Sequence, residues 1–257
     1  MSGPARAEAV PEPSRILANG DAALVVEFGD RIDLTLNERV LALADRLAAA
    51  PISGIVETVP TFRSLMISFD PSRIGFDALA RRVSGLLVDA TAAPRAGRLW
   101  RLPVCYDPEV APDLANAAGR AGIAPEAFVS RHSGMIHHVY MLGFLPGQPY
   151  LGDLPAELAL PRRETPRTRV AAGSVGVASQ MTCVFPKETP CGLNIIGRTP
   201  VALWDHRRRE AALLAPGDRV VFEPVGLDDF ARLAELSARG EFVLAPFGAP
   251  VAAGPAP

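Results

Sequence analysis

The side chains best suited to proton transfer in this chain are three histidines close in sequence, His132, His137 and His138. Imidazole is the one side chain whose ordinary pKa lies near neutrality. His137 and His138 are adjacent in a segment of strand formers, so they point to opposite faces and cannot easily share a ligand. One of them can face a cleft together with His132 from the preceding turn; the competing reading is a structural or solvated histidine. Anion binding has its own candidates. Arg167 and Arg169 stand two apart in "PRRETPRTRV", on one side of an extended segment, and Arg198 follows Gly197. A guanidinium grips carboxylate or phosphate through two N–H groups, so a cleft with one or two of these arginines and a histidine suits a small anionic substrate.

Other chemistries are excluded or weaker. There is no G-x-x-x-x-G-K-[ST], no G-x-G-x-x-G and no H-E-x-x-H. "AGSVG" lacks the first glycine of a nucleophile elbow, since Ala172 stands there, and Ser174 then reads as a turn hydroxyl. Cys105, Cys183 and Cys191 are odd in number and show no C-x-x-C spacing, so they read as reduced thiols of a cytoplasmic protein, with no metal site. "GFLPGQPYLGDLP" (143–155) fixes its path with prolines and glycines. It offers Phe144 and Tyr150 to a ligand or partner, or else simply closes a barrel as an ordered loop.

These groups must be positioned by two regions of different character. "AALVVEF" (22–28), a helix over "LTLNERVLALADRLAAAP", "GIVETV" (54–59), "SLMISF" (64–69) and a second helix over "FDALARRVSGLLVDA" follow a β-α-β-β-α order. In the first helix Thr35 and Glu38 have capping-box spacing, and Val40, Leu43, Ala44 and Leu47 share a face. In the second, Phe76, Leu79, Val83 and Leu86 do. The order is that of a ferredoxin-like, split β-α-β unit, its final strand supplied near residues 98–104. "TAAPRAG" (91–97) reads as a linker. Beyond it come helical stretches at "DLANAAGRAG" and "PEAFVSRH", then short strands with Gly/Pro corners: "HHVYMLGF", "RVAAGSVGVAS", "TCVFP", "NIIGRTPVALWD" and "RVVFEPV". Such a succession implies a sandwich or barrel. The expected division is a disordered tail at 1–15, an α+β domain at 16–92, a mainly β domain at 98–247 and a second tail at 248–257.

The 257 residues carry a formal net charge of -2, without the basic excess of a nucleic-acid binder, and Arg207-Arg208-Arg209 beside Asp205 and Glu210 reads as a solvated loop. No apolar stretch approaches the ~18 residues of a membrane span, and "MSGPARAEAVPEPSR" lacks the apolar core of a signal peptide.

Taken in order, "GDAALVVEFGD", "VPTFRSLMISFDP", "PVCYDPEVAPDL", "HSGMIHHVYMLGFLPGQPYLGDLP", "PRRETPRTRVAAGSVGVA", "PKETPCGLNIIGRTPVALWD" and "LAPGDRVVFEPV" resemble the family of 5-oxoprolinase B subunits, also known as allophanate hydrolase subunit 1 or KipI-like proteins. The resemblance runs from about residue 16 to 247. It implies a cyclophilin-like β-barrel after the small α/β domain. It also implies that the active site is shared with a partner, the C-type subunit that carries the carboxyltransferase A-B module. An A-type subunit joins them, and the assembly hydrolyses 5-oxoproline to glutamate with ATP. Other branches imply an inhibitor of a sensor histidine kinase, or a divergent subunit recruited to another pathway. On the matched motifs His132 and Arg198 are the catalytic groups of the cleft, with Ser174 and Thr182 as hydrogen-bonding substrate contacts. Gly143, Pro146, Gly147 and Tyr150 shape the loop; Gly173, Gly192 and Gly197 allow close backbone approach. The stretch 171–200 is then a cleft wall facing the partner's half of the site. This chain departs from the family's pattern at Gln148 (usually phenylalanine), Ala171 (proline), Met181 (glutamine), Cys183 and Cys191 (glycines) and Leu193 (tryptophan), the mark of a divergent member with altered substrate or reduced catalysis.

Overall fold

A computed structural model of the chain describes residues 14–87 and 97–247. All but Gly97 of the expected linker at 91–97, most of the N-terminal tail and all of the C-terminal tail lie outside the described residues. The chain divides into two compact units, residues 1–95 and 96–257.

In the first unit β1 (Arg15–Ala18), β2 (Ala23–Glu27), β3 (Ile55–Pro60) and β4 (Ser64–Phe69) form an antiparallel sheet in the order β1-β2-β4-β3. Helix α1 (Leu34–Ala49) joins β2 to β3, and β4 lies between these two parallel strands, which is a split β-α-β arrangement. Leu24 and Val26 of β2 and Leu65 and Ile67 of β4 are fully buried at period two. They pack against Val40, Leu43 and Leu47 of α1 and against Leu79 and Val83 of α2 (Phe76–Leu87).

Two local expectations are corrected. The N-cap of α1 is Asp33, whose carboxylate accepts from the backbone N–H groups of Thr35 and Leu36; Thr35 is already helical. The strand expected near 98–104 does not close this sheet. Its edge beside β2 is taken by β1, which begins at Arg15, a residue assigned above to the tail, and Arg15 pairs in register and in charge with Glu27.

Residues 99–105 instead form β5 (Leu99–Cys105) of the second unit. Its Trp100, Leu102 and Val104 fill a closed barrel, and its edge runs parallel to β13 (Arg219–Val225) over seven register pairs. The barrel order is β10-β7-β6-β13-β5-β12-β9, with β6 (His137–Leu142), β7 (Pro149–Leu151), β9 (Ser174–Ala178), β10 (Met181–Val184) and β12 (Asn194–Arg198). A barrel, not a sandwich, absorbs the short strands, and closure leaves no exposed edge. Val175, Val177, Val184, Ile196, Val220 and Phe222 point inward. Helices α3 (Leu114–Arg120) and α4 (Pro125–Ser133) contribute Leu114, Ala117 and Phe128 to the same core. A two-stranded ribbon of β8 (Arg167–Val170) and β11 (Thr189–Cys191) stands apart from the barrel ladder. Sequence reasoning did not mark β1, β7, β11 or the amphipathic helix α5 (Leu227–Arg239). The signals for α5 were present: Asp228 and Asp229 in its first turn, and Gly240 as a left-handed C-cap.

Candidate functional site

Strand periodicity gives the barrel wall two chemistries. On β10, Thr182 and Val184 face inward, so Met181 and Cys183 must face outward. On β9, Val175 and Val177 face the core, and Ala178 faces out. Outside this wall Val170 of β8 and Cys191 of β11 join Ala178, Cys183, Phe185, Leu193 and Ile195 in a second apolar cluster, with Tyr150 of β7 packed against it. Between wall and ribbon lies a pocket of about 180 Å³, lined by Gln148, Tyr150, Arg162, Met181, Cys183, Cys191, Gly192 and Leu193, with Phe144, Phe185, Pro190 and Ala178. This is well under the several hundred Å³ typical of sites for drug-sized ligands.

Gln148 is the polar group this pocket leaves unsatisfied. It is 2 % exposed, and its Oε1 accepts no hydrogen bond from any described residue. Its backbone is fixed: the N–H donates to the Leu145 carbonyl at 3.0 Å, and the Gly143 N–H donates to its carbonyl at 3.1 Å. Gly147 ahead of it adopts φ +72°, a left-handed turn that glycine makes without strain. Phe144, also at positive φ (69°), is 69 % exposed at the pocket rim; for a bulky residue this is a strained backbone. The thiols are not nucleophiles at neutral pH. Burial pushes Cys183 up to about 12, with neighbouring Cys191 adding to it, and burial raises Cys191 too. Burial likewise raises the Tyr150 phenol. Gln148, Met181, Cys183, Cys191 and Leu193, five of the six departures from the family pattern, thus meet in one pocket. The glutamine that the resemblance expects at 181 is replaced by Met181, yet an amide stands at 148 in the same pocket.

The arginines are sorted by their partners. Arg167 clamps the buried Asp113 with two hydrogen bonds, 2.5 and 2.8 Å, and Arg163 adds a third at 2.7 Å. The Ile195 N–H donates to the same carboxylate at 2.7 Å. The anion that Arg167 binds is therefore internal, tying α3 to β8 and β12. Arg169 pairs with Glu188 at 2.6 Å. Neither of the two arginines singled out by spacing faces the pocket. Arg162 does, and it makes no ion pair with a described residue.

The other expected site residues divide among three places. His132 lies on α4, not on a turn, and is completely buried inside the barrel. Its Nδ1 is 2.9 Å from the Tyr106 hydroxyl, its Nε2 is 3.1 Å from Thr182 Oγ1, and it stacks on Phe222. Burial, and next to it the neighbouring His137, hold it well below the usual imidazole range. His132 and Thr182 are together, but on the opposite side of the wall from the pocket, so neither belongs to an open cleft. His137 is equally buried, its Nε2 donating to the His132 carbonyl at 2.9 Å. Arg198 borders a different concavity of about 460 Å³ with Gly173, Lys187, Trp204 and Phe230. It donates to the Ala172 carbonyl at 2.9 Å and its guanidinium lies 5.6 Å over the Phe230 ring of α5. Ser174 is buried on β9 opposite Arg198.

Two of the glycines serve the chain itself. A Cβ on Gly173 would stand 2.2 Å from the Thr199 carbonyl oxygen, and one on Gly197 would stand 2.8 Å from Val104. Of the expected substrate contacts, Tyr150 and Gly192 line the pocket. Among the described residues no group of three or more His, Cys, Asp or Glu could hold a metal ion, and no helix is long and apolar enough to cross a membrane.

A protein family described as "Carboxyltransferase domain, subdomain C and D" matches residues 14–214. The 5-oxoprolinase B subunit of Escherichia coli O157:H7 is 37 % identical over 206 residues, covering 80 % of this chain and 93 % of that protein. The protein of the same name from Bacillus subtilis (strain 168) is 35 % identical over 222 residues, covering 82 % and 92 %. Among solved structures, that of TTHA0988 superposes with a TM-score of 0.71 at 36 % identity. The match covers 79 % of this chain and 40 % of the TTHA0988 chain, so this chain spans well under half of that protein.

Proposed function

The chain belongs to the carboxyltransferase family, subdomains C and D, and from that premise we propose that it is the B subunit of an ATP-dependent 5-oxoprolinase-type enzyme. The observation that carries this reading is the near end-to-end match: more than nine-tenths of two proteins named as 5-oxoprolinase B subunits align with it. It is non-autonomous, working in the cytoplasm with a C-type and an A-type partner, and the outer pocket is its share of the substrate site. The domain reading, 16–92 and 98–247, goes with it, the first ferredoxin-like apart from its N-terminal edge strand and the second cyclophilin-like.

The chemistry explains the division of labour. A lactam is a resonance-stabilised amide and resists water. Transfer of a phosphoryl group from ATP to the lactam oxygen activates the carbonyl carbon. One water adds there, the C–N bond breaks with the nitrogen taking a proton, and a second water cleaves the resulting acyl phosphate to glutamate and phosphate. The sequence holds no phosphate-binding loop, and the outer pocket is too small for a nucleotide. This reading assigns ATP to the partners, and this chain holds and orients the small substrate. His132 is assigned a positioning role, holding Thr182 and the wall of β10, and Arg198 borders the second concavity as a surface for the partner.

The test is reconstitution. This chain, co-expressed with the C-type and A-type proteins from the same genome, is expected to give 5-oxoproline-dependent ADP and glutamate in equal amounts. Omission of this chain should abolish both. A complete complex that couples no ATP hydrolysis to 5-oxoproline overturns the reading.

A further inference from the structure

Deepening that reading, we infer that the second concavity is a subsite for a phosphate group, gripped by the two free Nη groups of Arg198 and drawn by the added charge of Lys187. Three observations converge. The first is how Arg198 is held. Its Nε donates to the Ala172 carbonyl at 2.9 Å, and its guanidinium lies 5.6 Å over the Phe230 ring. The side chain is thus fixed at two points, while both Nη groups lack an acceptor among the described residues. A guanidinium held in this way presents its fork with little rotamer freedom left to lose, which suits a bidentate oxyanion.

The second observation is charge. Lys187 and Arg198 border the concavity together. The carboxylate on its wall, Asp205, is taken by Arg207 at 2.9 and 2.8 Å, and Glu188, next in sequence to Lys187, pairs with Arg169 at 2.6 Å. Lys187 and Arg198 therefore remain without a carboxylate among the described residues, and two uncompensated cations favour a dianion over a single carboxylate. The third is shape. The concavity of about 460 Å³ lies within the ~300–1,000 Å³ of small-molecule sites, and Trp204, Pro200 and Phe230 set apolar surface beside the cations. The proposed reaction offers this phosphate from two sources: the terminal group of a nucleotide held by the partner, and the orthophosphate released. The inference rests on the 5-oxoprolinase reading for the source of the phosphate; the binding itself can be measured on this chain alone.

Titration of the full chain with sodium phosphate, ADP and glutamate at low ionic strength tests this, followed by tryptophan fluorescence and phosphorus NMR. Trp204 lines the concavity and Trp100 is buried in the barrel, so a change in emission reports on the site. The native chain is expected to bind phosphate saturably at millimolar concentration and glutamate about tenfold more weakly. Arg198→Gln should weaken phosphate about tenfold, through loss of paired charge-assisted hydrogen bonds. Lys187→Gln should weaken it about threefold, as for an exposed charge. Lys187 is exposed and makes no described contact, so its variant keeps the fold even where Arg198→Gln does not; melting temperatures check both. Tighter binding of ADP than of orthophosphate identifies the nucleotide as the source, and the reverse identifies released phosphate. Absence of saturable phosphate binding, glutamate bound as tightly as phosphate, or unchanged phosphate affinity in either folded variant overturns the inference. Turnover of the assembled complex is read separately. A complex without 5-oxoproline-dependent ATP hydrolysis sinks the enzyme reading, while the titration of this chain still decides the phosphate subsite.

Discussion

Acidification from pH 7.5 to pH 5 should destabilise the barrel through His137 and His132, before any carboxylate with a shifted pKa begins to titrate. His137 donates from Nε2 to the His132 carbonyl, so its bare nitrogen is Nδ1, which is buried and has no partner. A proton arriving there would put a charge in an apolar site beside His132 and Phe222, with His138 repelling it and the His132 carbonyl and Asp153 favouring it too weakly to offset burial. Burial accordingly lowers His137 from 6.5 to about 4 in the folded state. The sign follows directly. Between pH 6.5 and 4 the unfolded chain binds a proton that the native chain refuses, so stability is full above 6.5 and is lost as pH falls toward 4.

At pH 5 the unfolded state has gained 1.5 pH units of protonation below the ordinary value of 6.5, about 2 kcal/mol at ~1.36 kcal/mol per unit, while folded His137 is still neutral. His132, lowered by burial and by His137, acts in the same direction. Asp70 and Asp205 are lowered from 3.8 by hydrogen bonds to Ser72 and Arg207, so they do not enter above pH 5. Against a typical domain stability of ~5–15 kcal/mol the effect is large. Both tryptophans, Trp100 and Trp204, lie in the second unit, so urea titrations followed by tryptophan fluorescence at pH 7.5, 6.5, 5.5 and 5 report on the barrel. His137→Gln keeps an N–H donor toward the carbonyl and cannot titrate; it should flatten the acid slope by about 2 kcal/mol. A native stability that is level from pH 7.5 to 5, or an acid slope in His137→Gln as steep as the native one, would refute the reasoning.

Two further outcomes follow from the geometry. Gly173→Ala forces a side chain to φ +83° with its Cβ 2.2 Å from the Thr199 carbonyl oxygen, and should cost at least about 2 kcal/mol in urea denaturation of the barrel. A loss under half that figure would mean that the β9–β12 corner is looser than described. Cys105, Cys183 and Cys191 are buried, with Cys183 raised to about 12, so the native chain should react with Ellman's reagent at pH 8 only on a timescale set by unfolding. Prompt titration of one or more thiols would show that the pocket or barrel opens readily.

The legible part of this protein was local. Alternation of Leu24 with Val26 and of Leu65 with Ile67, and the 3.6-residue spacing of Val40, Leu43 and Leu47, write β2, β4 and α1 into the sequence, because each buries one face against the same core. The short strands separated by glycine and proline corners likewise announced a β-rich second region, and the ordered motifs announced its family. Misplacement began where identity depends on a distant partner. Residues 99–105 look like a strand from sequence, but only the seven-pair parallel match to β13 decides which sheet they join. The loop at 143–155 conceals β7 because three residues carry too little pattern to read.

The site shows the same division. The sequence by itself determined that residues 144–150 and 181–193 would be chemically unusual, since their departures from the family pattern are visible residue by residue. It could not tell four neighbouring arginines apart. Arg162, Arg163, Arg167 and Arg169 are equivalent as text, and what separates them is that Asp113 and Glu188 arrive from elsewhere in the chain. Nor could it place Thr182 and Cys183, adjacent residues that strand geometry sends to opposite sides of one wall, Thr182 to His132 inside and Cys183 to the pocket outside. Periodicity is a property of a segment and can be read from it. The partner of a buried charge, and the face of a wall that meets solvent, are fixed only when the barrel closes.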